Sequence, residues 1–224
     1  MKPLLIINSA ASAVDVGAFN AFAGVIMDIG CDTEVLRSMA RLAGRSFTLL
    51  ARVEPLGLLD EEALNLLLDS DVDGIVLSGC RGRADIQQLD VMLRVAEAAS
   101  GIAPNRVRIH AEYGGSPEGL LSPHPLTGSS PRLGALIFNG AALARSVGCL
   151  EPTSAPHQRV AAPILAGRAY VVLRASEAGV PAYEMLPATT DEAAARWAHS
   201  LSRDNGFASV VCNSIEQATI VKTA

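Results

Sequence analysis

Eight short apolar runs, each trailed by residues at helical spacing, restrict what this 224-residue chain can fold into. The runs lie at residues 4–7, 24–29, 46–53, 74–77, 107–113, 133–138, 182–186 and 207–212. Residues 133–138 are nearly all apolar, as a strand covered on both faces must be, whereas Val107, Ile109 and Ala111 alternate with polar residues. Between runs, Ile86, Leu89, Met92, Leu93 and Ala96 share one helical face over residues 85–99, and Pro163 opens a helix that Gly179 closes. Thr189 and Glu192 have the spacing of a capping box for a helix with Ala194, Trp197, Ala198 and Leu201 inward. Strand followed by helix, eight times over, predicts a (β/α)8 TIM-type barrel in a single domain over residues 1–224. An open doubly wound sheet is the alternative. The last helix is stunted, which would leave the closing seam poorly covered and argues for a homo-oligomer. Residues 149–162, rich in Pro and Ser, read as a surface loop.

Half of the residues are apolar, enough for a sizeable core, yet no stretch approaches the roughly 20 apolar residues of a membrane span. The apolar run Leu4 to Ile7 is shorter than the roughly 7–15 residues of a secretory leader, so it reads as a first core strand. A net charge of −5 without a basic run speaks against nucleic acid. Cys31, Cys80, Cys149 and Cys212 are far apart and form no CxxC pair, which predicts free thiols and a cytoplasmic setting.

Chemistry in a β/α barrel sits on the turns after the strands. Here those turns carry mostly Gly, Ser, Asn and Ala. The acids at or near strand ends are Asp28, Glu54, Glu112 and Glu184; each is a candidate ligand or, more plainly, a polar partner, Glu112 for Arg52 or Arg108. Cys31, Cys80 and Cys212 also fall at strand ends, as buried thiols or as soft ligands. His110 reads as a hydrogen-bonded core residue, and His124, His157 and His199 lack ligand spacing. Residues 78–83, Ser-Gly-Cys-Arg-Gly-Arg, form either a solvated turn or an anion site built from backbone amides and Arg81 and Arg83.

Several segments in order resemble the citrate lyase β-subunit-like branch of the HpcH/HpaI aldolase family. Residues 73–90, DGIVLSGCRGRADIQQLD, resemble that family's DGIVLPKVESAEDVRALD. Residues 138–143 resemble FGxxDL, residues 179–184 resemble GLPAID, and residues 206–217 resemble its closing GF(x)4–5IHPxQ. The resemblance implies a barrel, often a trimer or hexamer, that makes or breaks carbon–carbon bonds in small oxo-acids or acyl-CoA with Mg2+. It would set the metal carboxylates at Gly114 or Gly115 and at Ala142, which carry no side-chain oxygen. The DLED acids map onto residues 28–31, of which Asp28 alone is acidic; the LPK lysine maps onto Gly79 and the His-Pro onto Ser214-Ile215. Arg52 matches the Arg of RxN that holds substrate oxygens, with Glu54 in place of Asn, and Glu184 replaces the Asp of PAID. The resemblance thus makes Arg52 and Glu184 the catalytic candidates, and the 78–83 turn offers Gly79 and Arg81 as the substrate-binding ones. Asp28, Glu54 and Glu112 are the substitutes left for a metal.

Aldol-type cleavage needs its enolate held by a lysine iminium or a metal. The only lysines, Lys2 and Lys222, are at the chain ends. Two readings follow: a divergent lyase with a remodelled site, or a non-catalytic barrel for ligand binding or subunit interaction. Three acids converging on one point would favour the first.

Overall fold

A computed structural model describes residues 2–7, 16–28, 30, 32–154 and 159–223. Its eight strands are β1 (Leu4–Ile7), β2 (Gly24–Met27), β3 (Thr48–Val53), β4 (Gly74–Leu77), β5 (Arg108–Tyr113), β6 (Leu133–Phe138), β7 (Ala182–Met185) and β8 (Ser209–Cys212). They pair in parallel in sequence order and close on themselves, β1 meeting β8 through Leu4–Val211 and Leu5–Cys212. The barrel is therefore closed, and the open sheet is ruled out. The helices are α1 (Thr33–Ala40), α2 (Glu61–Asp69), α3 (Arg83–Ala99), α4 (Pro117–Leu121), α5 (Gly140–Val147), α6 (Ala162–Ala178), α7 (Glu192–Asp204) and α8 (Ile215–Lys222). Among the described residues, no helix is long and apolar enough to cross a membrane.

Strand side chains alternate between two apolar layers. Leu4, Ile6, Ile26, Leu50, Val76, Ile137 and Val211 fill the barrel's interior. The alternate residues, such as Val25, Leu49, Ile75 and Leu136, face outward under the helices. Glycine at 24 and 74 follows from crowding where strands begin: a Cβ on Gly74 would stand 2.9 Å from the carbonyl of Arg108.

Caps set the helix starts. Asp32, Asp60, Asn139, Asp191 and Ser214 each accept a hydrogen bond from a backbone N–H in the first turn of their helix. The α7 cap is thus Asp191 rather than Thr189, whose hydroxyl instead accepts from the Asp191 N–H. Gly179 closes α6 in the left-handed conformation with φ 70°. The last helix, α8, is eight residues long, the length of α1 and α5. It buries Ala218 and Val221 against Leu5, Ile7, Val210 and Cys212, so the closing seam is covered. In the 149–162 segment, Ala162 already belongs to α6, and Ser154 is buried with its hydroxyl donating to the Pro187 carbonyl. Residues 155–158 lie outside the described set.

Candidate active site at the barrel mouth

Asp28, Arg52, Glu112 and Asn139 stand at the C-terminal ends of β2, β3, β5 and β6 and form one network. Arg52 grips Glu112 with two bonds, Nε to Oε2 at 2.6 Å and Nη2 to Oε1 at 2.9 Å. Its Nη1 donates to Asp28 Oδ1 at 2.7 Å. The Asn139 amide donates to Glu112 Oε1 at 2.9 Å while its carbonyl oxygen caps α5. Burial opposes the charge on Arg52, but Glu112 and then Asp28 outweigh it and hold the guanidinium firmly protonated. A fork of this kind is the strongest pairing available to a buried carboxylate, and Glu112 is 1% exposed. These bonds use three of the five guanidinium N–H groups, which leaves two.

The network borders a cleft of about 540 Å3 that Glu54, Ser78, Arg81, Gly115, Ser116 and Ala142 also line. The hydroxyls of Ser78 and Ser116 are buried there without a hydrogen-bond partner. Glu54 is exposed on the rim. The turn after β4 is tied down by its own helix. The Arg81 N–H and side chain both bind Asp85, Cys80 N–H donates to the Glu112 carbonyl, and Arg83 donates to the carbonyls of Pro125, Thr127 and Gly128. Arg83 is thus committed to loop carbonyls, whereas Arg81 spends Nε and Nη2 on Asp85 and stays largely exposed at the cleft.

Two glycines shape the floor. Gly114 has φ 129°, and a Cβ on it would lie 2.2 Å from the Asn139 carbonyl oxygen; one on Gly115 would lie 2.8 Å from the Gly79 Cα. No carboxylate can be placed at either position on this backbone. Ala142 lies in the first turn of α5. Mg2+ prefers carboxylate oxygens in near-octahedral geometry. Asp28 and Glu112 instead hold the Arg52 guanidinium between them. Among the described residues, no three His, Cys, Asp or Glu side chains group as an ion would require. The described residues of the mouth do not fit Mg2+.

The remaining candidates lie elsewhere. Glu184 does not reach the mouth: Tyr183 and Met185 are the β7 residues packed against the interior cluster, and Glu184 turns into the helix layer to pair with Arg168 of α6 at 2.8 Å. Burial pushes its carboxyl up and the Arg168 charge opposes that. Cys80 and Cys212 are buried, and burial pushes each thiol up to about 12, so both are neutral core groups. His110 is not hydrogen-bonded as expected: Nδ1 has no partner, the ring meets Tyr183 edge-on, and burial followed by the charge of Arg108 lowers it to about 4. His124 is on the loop before β6, its carbonyl accepting from Arg174, and His199 is on α7. Cys31 and His157 lie outside the described residues. Asn139 and Ser116 were missed as site residues, since Asn-Gly and Ser-Pro read simply as turns.

The class that fold and mouth define is a closed parallel β/α barrel with an ion-paired, cleft-bearing C-terminal face. No protein-family model matches the chain, and no curated protein matches it. Solved structures do. A citrate lyase from Burkholderia xenovorans is 12% identical with a TM-score of 0.81, over 100% of this chain and 76% of that one. The protein CitE of Mycobacterium tuberculosis, in complex with magnesium and acetoacetate, is 16% identical with a TM-score of 0.77, over 99% and 89%. RipC from Yersinia pestis is 20% identical with a TM-score of 0.72, over 99% and 93%. At these identities the likeness is one of fold.

Proposed function

We propose that this chain is a lyase-like barrel whose mouth binds a small acyl ligand without a metal. The observation that carries this reading is the Asp28–Arg52–Glu112 network, in which a guanidinium stands between the two buried-side carboxylates of the mouth. The two remaining N–H groups of Arg52 offer donors to a carbonyl or a carboxylate. Charge decides which. Asp28, Glu54, Asp85 and Glu112 outnumber Arg52 and Arg81, so a dianion is repelled, and a monocarboxylate or a neutral thioester carbonyl is preferred. Neither lysine is near: Lys2 precedes β1 and Lys222 ends α8. No iminium or metal route to an enolate can be drawn from these residues.

The second reading is a carbon–carbon lyase on small oxo-acids or acyl-CoA with a remodelled site. It draws on the likeness to a citrate lyase and to a CitE solved with magnesium and acetoacetate. The two separate experimentally by titrating pyruvate into wild-type protein and Arg52→Met, with turnover of oxaloacetate followed alongside. Saturable pyruvate binding that weakens about tenfold in the variant, with no turnover, supports binding alone. Turnover that depends on Mg2+ overturns it. A trimeric or hexameric state, read from the family resemblance, is tested by the solution mass.

A further inference from the structure

A second cavity, of about 190 Å3, lies outside the barrel between α6 and α7, bordered by Arg159, Ile164, Arg168, Glu184, Trp197 and Leu201. That volume exceeds the about 150 Å3 of a cavity that takes benzene, so it accommodates a molecule of roughly six to eight heavy atoms. Its polar end is unusual. Arg168 is 6% exposed and spends Nη2 on Glu184 at 2.8 Å, while the guanidinium lies 5.8 Å from the Phe207 ring centroid. Its Nε, equally buried, donates to nothing. A buried unsatisfied N–H costs about 1–3 kcal/mol, so the residue holds its place at an expense its fold does not recover.

Charge names the occupant. Two arginines face one glutamate in this lining, the reverse of the acid-rich mouth. The opposite wall is Phe138, Ile164, Leu186 and Leu201. We propose that this side cavity is a separate binding site for a small monocarboxylate with a branched or cyclic apolar body. Its carboxylate sits at Arg159 beside the Arg168 guanidinium, and its apolar body lies against Ile164 and Trp197. The site also adjoins the mouth: Phe138 pairs with Glu184 across β6 and β7, and the next residue, Asn139, donates to Glu112.

Trp197, the only tryptophan in the chain, is a built-in reporter. Titration of the whole protein with 4-methylpentanoate should give a saturable change in its emission. The neutral 4-methylpentanamide should bind about tenfold weaker or worse, because charge is the recognition. Arg159→Ala, at an exposed position, should weaken the acid several-fold without disturbing the fold, and Ile164→Phe should abolish binding by filling the apolar end. Arg52→Met, in the mouth, should leave this affinity unchanged, which keeps the two sites distinct whichever way the mouth behaves. A lack of saturation by about 10 mM, equal affinity for the amide, or loss of affinity in Arg52→Met would each overturn the assignment.

Discussion

Two arginines in this barrel each hold two carboxylates, and they differ in one respect. Arg132, just before β6 at the N-terminal face, is 0% exposed; it donates to Asp90 through Nε, to Glu97 through both Nη atoms, and to the Val107 carbonyl. Glu97 in turn accepts from the Asn105 and Val107 N–H groups. One of its five N–H groups is left, but with no exposed surface it offers a ligand nothing. The Arg52 side chain at the opposite face is 18% exposed, keeps two N–H groups and borders a cleft. The same ion-pair chemistry therefore serves two ends: sealed, it fixes a strand start to a helix; left incomplete beside a cavity, it presents donors. In barrels of this kind the N-terminal face carries stability and the C-terminal face carries chemistry.

Removing each arginine tests that division. Arg132→Met strands Glu97 without its cation in a sealed site, while Asp90 keeps Arg94, and should cost about 3–5 kcal/mol, read from the denaturant midpoint. Arg52→Met leaves Glu112 with Asn139 alone, but beside a cleft that admits water, so the cost should be about 2 kcal/mol. Adding Glu112→Gln should return most of it. Equal losses for the two arginines would erase the distinction.

Acid should separate sealed groups from open ones. His110 is neutral in the fold, lowered to about 4 by burial and Arg108, whereas the unfolded chain takes a proton near 6.5. Stability should therefore fall as pH drops from about 6.5 to 4, by up to about 1.4 kcal/mol per unit, and His110→Gln should flatten that limb. Glu97 behaves differently. Burial would raise it, but Arg132 and the two backbone N–H groups hold it below its ordinary 4.5. Its contribution is present above that value and lost below it, so Arg132→Met should flatten only this lower limb. The smallest effect belongs to Asp28→Asn: Asp28 is a quarter exposed, Arg52 keeps its fork on Glu112, and the cost should stay within about 1 kcal/mol.

The barrel was legible because β4 and β6 are continuous apolar runs and α3 is a long, strongly patterned helix. Helix α5 was not, since Gly140 to Val147 is short, small-residued and hidden behind an Asn-Gly that reads as a turn. In the mouth, Arg52 and Glu112 were legible as partners, 60 residues apart, on strands β3 and β5. The direction of Glu184 was not. In Ala182-Tyr-Glu-Met-Leu either face could be the inner one, and only packing reveals that Tyr183 and Met185 point inward and that Arg168 awaits Glu184 outside. The Gly114–Asn139 approach at the floor joins residues 25 apart that no periodicity links.

The central claim is that the mouth binds its ligand without a metal. Calorimetric titration of pyruvate and of oxalate, first in a chelator and then with Mg2+, tests it most directly. The account predicts saturable pyruvate binding in the chelator, unchanged by Mg2+, with oxalate weaker because it is a dianion. Binding that appears only with Mg2+, or that favours oxalate, would contradict it.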